Sequence, residues 1–147
     1  MQTLWNQSDR TALLARFAAL PATAPARWGR LTAPKMVSHV TDALRAGLGE
    51  LPVSDKPGPL KVWPLNALVI YYLPWPKGAP TAPELIARTP AGWETELDAL
   101  RAAIERFASR PVEGPWARHA AFGALSGKDW GRLMFRHLDH HLRQFGA

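Results

Sequence analysis

The chain has no cysteine among its 147 residues. That absence excludes disulfides, thiolate metal sites and a cysteine nucleophile, and leaves histidine, aspartate and glutamate as the side chains able to hold a metal. Clustered charge is missing too. Lys and Arg total 18 against 12 Asp and Glu, a formal charge of +6, but the cations are scattered among the acids and form no run. Such a balance speaks to solubility and to attraction of anionic small molecules, and no nucleic-acid partner is expected. Long apolar runs are also absent. The most apolar stretch, Leu65 to Pro76, holds Asn66 and two prolines, Pro74 and Pro76, so no membrane partner is expected. Residues 1–20 lack the basic start and unbroken apolar run of a secretory leader, which makes the cytoplasm the default location. There is no internal repeat and no low-complexity tract.

What is present reads as one helical domain over residues 1–147. A first helix is expected from about Asp9 to Leu20, capped by Ser8, with Leu13, Leu14, Phe17 and Leu20 on its apolar face. A second runs from about Ala33 to Leu48, capped by Thr32, with Met36, Val40, Ala43, Leu44 and Gly47 turned inward. Residues 49–63 form a long Pro- and Gly-rich loop. Asn66 to Leu73 suits a strand by propensity, but no partner strand appears, so a short buried helix is the expectation. Thr81 and Glu84 have capping-box spacing for a brief helix to about Arg88. A longer helix covers about Ala91 to Ser109, with Trp93, Leu97, Leu100, Ile104 and Phe107 inward. The last starts at Ser126, whose spacing to Asp129 is again that of a capping box, and reaches about Phe145.

Three of the five histidines crowd this last helix. His137 and His141 lie about 40° apart and one turn apart, an arrangement that lets two imidazoles converge on one ion. The stripe Trp130, Met134, His137, His141 and Gln144 follows one side of the helix, so the pair points towards the core. His140 lies about 60° to the other side of His137 and is the weaker candidate. Two ligands make a poor site, and His39 is the remaining histidine on an expected helix, beside its inward stripe. Imidazole donors suit Zn, Ni, Cu or Fe(II). An i, i+4 pair also arises by accident on ordinary helices, a single His39 reads equally as a satisfied core residue, and His119 falls in a loop where it caps or hydrogen-bonds the following helix.

The segment His137-x-x-His140-His141-x-x-Gln144 resembles the final-helix signature of the DinB/YfiT-like superfamily. His119-Ala-Ala-Phe122-Gly123-Ala-Leu125-Ser126, followed by Trp130, is similar to the stretch that precedes that signature. Trp28-Gly-Arg-Leu-Thr-Ala-Pro-Lys-Met36-Val-Ser-His39 resembles the first ligand-bearing helix, and Leu73-Pro-Trp-Pro-Lys-Gly-Ala-Pro80 resembles a narrower branch. Residue 120 departs from the pattern, with Ala where Pro follows the histidine. The resemblance implies an all-α fold, a four-helix bundle of the DinB/YfiT type with an additional N-terminal helix and long loops. It places a divalent metal (Zn, Ni, Fe or Mn) on His39, His137 and His141, and makes a homodimer the expected assembly.

Members of that superfamily include metal-dependent transferases using low-molecular-weight thiols, thiol-linked isomerases and hydrolases. The resemblance therefore implies an enzyme in which the ion activates a thiol or water nucleophile towards a small-molecule substrate, in the first instance a thiol-dependent S-transferase with a thiol cosubstrate. The alternative is a non-catalytic bundle that binds metal for stability or in a stress response. Gln144 is placed either to orient a ligand or to pack, and Asp42 either to receive an imidazole N–H from His39 or to stand as a solvated carboxylate on the helix face. Trp28, Trp75 and Arg45 or Arg136 are candidates for an anion-tolerant pocket, each with an ordinary packing role as its alternative.

Overall fold

Helices form where the sequence supplies both a cap and an apolar face. In the computed structural model, which describes all 147 residues, five α-helices form and no strand: α1 (Gln7–Ala19), α2 (Ala33–Gly47), α3 (Leu65–Tyr71), α4 (Trp93–Ser109) and α5 (Gly127–Gln144). Thr32 caps α2, its hydroxyl accepting the Lys35 N–H, and Pro34 sits in the first turn, where a missing N–H costs nothing. α5 opens with a complete Ser126–Asp129 capping box. Of the residues expected on the inner faces of α2 and α4, all but Gly47 and Trp93 join a core of 25 buried apolar residues; Gly47 is buried beside the Trp130 ring and Trp93 packs at the core's margin. α2 lies along α4 and against α5, and α1 contacts α4 and α5.

Three expectations need correction. The cap of α1 is Asn6 and not Ser8: the Asn6 Oδ1 accepts the N–H groups of Ser8 and Asp9. The 66–73 segment is a helix, but not a buried one. Only Ile70 is buried, while Leu65, Leu68, Tyr72 and Leu73 are exposed, as is Trp63 just upstream at 81%. Two turns laid on α5 can turn few side chains inward. Finally, Pro83–Leu85 makes a single 3-10 turn without a side-chain cap. The Glu84 carboxylate that would close the box accepts the Ser54 N–H instead.

α3 is held from α5. Arg136 donates to the carbonyls of Val69, Ile70 and Leu73, at the helix end where backbone acceptors have no partners. Tyr71 donates its hydroxyl to Asp129 at 2.7 Å. Small residues on α5 admit close neighbours: a Cβ on Gly127 would lie 1.9 Å from the Val112 carbonyl oxygen, so only glycine fits under that loop.

The Pro83–Leu85 turn is anchored by a buried ionic cluster. Arg88 forks onto Glu96 of α4 at 2.7 and 3.1 Å and reaches Asp42 of α2 at 3.2 Å. Glu96 and Asp42 are 1% and 2% exposed. The Lys35 ammonium donates to the Arg88 carbonyl. Burial alone would raise the Glu96 pKa, but Arg88 and the Ala91 N–H outweigh it and hold the carboxyl below its usual range. A depressed folded-state value contributes stability at neutral pH that is lost as pH falls through that value. Replacing Glu96 with Gln is expected to cost about 2–3 kcal/mol near pH 7 in urea denaturation. That cost should shrink as pH falls through the lowered folded-state value and the wild-type carboxyl takes up a proton; a cost independent of pH would contradict the ionic role.

Candidate metal centre

α2 and α5 meet at His39, His137 and His141. The His39 Nε2 lies 3.1 Å from the His137 Nε2, which lies 3.1 Å from the His141 Nε2. One ring nitrogen from each residue stands within 4.8 Å of the other two, and no carboxylate joins them. His39 is buried at 2% exposure, while His137 and His141 are partly buried. The structure thus brings together the three residues that the sequence singles out.

The far sides of two rings fix their protonation. The His39 Nδ1 is 3.1 Å from the Leu85 carbonyl oxygen, and the His141 Nδ1 is 2.7 Å from the Gln144 Oε1. The Gln144 amide is itself oriented, since its Nε2 donates to the Trp28 carbonyl at 2.8 Å. Carbonyl oxygens only accept, so both Nδ1 atoms carry protons and both Nε2 atoms present lone pairs to His137. His137 has one Nε2 position and so at most one proton to give. At least one of the two short contacts therefore opposes lone pair to lone pair, which a cation at the centre would relieve.

The spacing fits such an ion. Two nitrogens at about 2.0–2.1 Å from one metal stand about 3.3 Å apart in a tetrahedron and about 3 Å apart at right angles. The electrostatics agree. Burial lowers the pKa of all three rings: His141 to about 3, His137 well below the ordinary value, and His39 against a partial counter-pull from the Leu85 carbonyl. Neutral imidazole is the metal-binding form.

The other candidates separate. Gln144 holds the His141 ring through its Nδ1. Asp42 does not touch His39; it accepts from Arg45 and Arg88, leaving the Leu85 carbonyl as the imidazole acceptor. His140 stays outside the cluster, edge-on to Trp28 at 5.7 Å between ring centroids. The His119 Nδ1 accepts the N–H groups of Ala121 and Phe122 within its own loop, and burial lowers its pKa to about 4. Arg45 pairs with Asp42 and Glu50, away from the rings. Trp75 stands 6.0 Å from both His137 and His140. Sequence reasoning missed the Leu85 carbonyl and the Arg88 cluster that steadies its turn. No spacing rule signals a backbone acceptor 46 residues away from its histidine.

A family model described as "Protein of unknown function (DUF1569)" matches residues 75–147. The match takes in α4 and α5 with His137 and His141, and leaves out α2 with His39. No curated protein and no solved structure matches the chain.

Replacing Gln144 with Leu removes the acceptor that holds the His141 Nδ1–H. Zinc affinity, measured by competition with a chromophoric chelator, should fall about 10- to 100-fold with helix content retained. Wild-type affinity would show that His141 needs no such orientation.

Proposed function

We propose that the chain is a DinB/YfiT-like metal-dependent enzyme, working in the cytoplasm as a homodimer, that joins a low-molecular-weight thiol to an electrophilic small molecule. The observation that carries the reading is the three-nitrogen cluster, which no fourth histidine and no carboxylate joins. Three imidazoles satisfy part of a divalent ion's coordination and leave room for an exogenous ligand, the pattern of catalytic rather than closed structural sites. A zinc, nickel, iron or manganese ion held by His39, His137 and His141 would supply Lewis acidity, lowering the pKa of a coordinated thiol or water into the neutral range. With no cysteine in the chain, the thiol comes from a cosubstrate. The final-helix resemblance supports the DinB/YfiT assignment.

The chain's own contribution is positional. The Leu85 and Gln144 oxygens hold two rings in the tautomer that donates Nε2, and burial keeps all three rings uncharged. Trp75 flanks the cluster on the His137 side, its ring 6.0 Å from that imidazole. One observation favours the alternative of a metal-holding bundle without turnover. The neighbouring carboxylates are engaged, Asp42 with Arg45 and Arg88 and Asp139 with Arg16 and Arg143, so neither is free as a general base.

The test is consumption of glutathione, bacillithiol or mycothiol with a reactive electrophile by zinc-, nickel-, iron- and manganese-loaded protein. Metal-dependent turnover is expected, falling to background in His39→Ala with the helical circular dichroism retained. No turnover of any thiol, and no hydrolysis, by metal-replete protein would favour the non-catalytic reading.

A further inference from the structure

The centre is flanked by two stretches of chain with unusual charge. Residues 10–41, which carry Trp28, contain no Asp or Glu, and neither do residues 56–83, which carry Trp75 and Lys77. The structure brings these two stretches together over α5. The Trp28 ring lies 5.7 Å from His140, and the Trp75 ring 6.0 Å from the same histidine, so the two indoles stand around it. The Lys77 ammonium sits over the Trp28 ring, 4.7 Å from its centroid. Both indoles touch the centre's own framework: Trp75 neighbours His137, and the Trp28 carbonyl holds Gln144, which holds His141.

Of the cations at this rim, Arg136 is spent on three backbone carbonyls and on the Trp75 ring. The adjacent carboxylate, Asp139, is 2.7 Å from Arg16 and 2.9 Å from Arg143. Lys77 is different. It is exposed, belongs to no ion pair, and is drawn to an aromatic face rather than to an acid. A cation held over the Trp28 indole, with no carboxylate from either stretch to quench it, suits an anion carried on an apolar body.

We propose that Trp28, Trp75 and Lys77 form a recognition rim for a small organic anion, its charged group at Lys77 and its apolar or aromatic body laid against the indoles that flank His140, beside the three-histidine centre. This deepens the proposed function and rests on that reading for the centre's role as the reacting site. The rim itself is built from the chain alone and binds with or without metal. It selects substrates carrying a carboxylate, sulfonate or phosphate at a distance from the reacting atom, over uncharged analogues of the same size.

The test follows the indole N–H signals of Trp28 and Trp75 by two-dimensional NMR during titration at low ionic strength. Benzenesulfonate, a weak metal ligand, is compared with uncharged benzyl alcohol, on zinc-loaded and on metal-free protein. Benzenesulfonate is expected to shift both signals and to bind about fivefold more tightly than the alcohol, a preference that added salt removes. Lys77→Met, which keeps the apolar stem, should bring the two ligands to equal affinity, whereas Lys128→Met, at an exposed lysine at the start of α5, should leave the preference intact. The proposal is overturned by unmoved Trp28 and Trp75 signals, or by a preference that survives Lys77→Met. Failure of the two readings is distinguishable. A chain that shows the anion preference but takes up no zinc refutes the metal centre and keeps the rim, while one that binds zinc without the preference refutes the rim alone.

Discussion

Three imidazole nitrogens held at 3.1 Å contacts, with at most one proton between them, impose the constraint around which this bundle is arranged. The rings of His39 and His141 spend their N–H groups outward, on the Leu85 carbonyl and the Gln144 amide oxygen. What remains inward is lone-pair density from two helices that lie far apart in sequence. Burial, the first cause of the lowered pKa in each ring, removes protonation as a means of relief. A shared cation is the simplest resolution of that geometry, and it is also the condition for a coordinated nucleophile.

The supporting structure converges on the same point from outside the core. α2 and α5 present the rings, but loops hold them. Leu85 belongs to a turn pinned by Arg88 between Glu96 and Asp42, and Gln144 is fixed by the carbonyl of Trp28 in the connection before α2. Arg136, one residue before His137, fastens the end of α3 and lies over Trp75. Helix packing and the surroundings of the centre are therefore coupled, because the polar contacts that order the loops also aim the histidines.

Legibility in the sequence followed the range of the interactions. α5 could be read almost residue by residue, since its capping box, its apolar stripe and its i, i+4 histidines all repeat over one or two turns. α2 was equally clear, with Thr32, Pro34 and the stripe through Leu44, and the histidine beside that stripe was recoverable. The choice of Asn6 over Ser8 as cap turned on two candidates only two residues apart, both chemically suited. The exposure of α3 was hidden because an apolar composition does not say how much neighbouring surface exists to cover it. Asp42 was placed as the partner of His39 by its one-turn spacing, but a buried carboxylate is better satisfied by two guanidinium groups, one of them 46 residues away. Its place beside the inward stripe of α2 offers His39 as the third ring, and the resemblance to the DinB/YfiT-like superfamily implies the same set. The geometry of the cluster supports that ligand set on independent physical grounds.

X-ray absorption spectroscopy of the zinc-loaded protein bears most directly on the central claim. One ion per chain is expected, with three imidazole nitrogens at about 2.0–2.1 Å and further light-atom scattering from an exogenous ligand. A spectrum without imidazole scattering, or one in which a fourth side chain closes the shell, would contradict it.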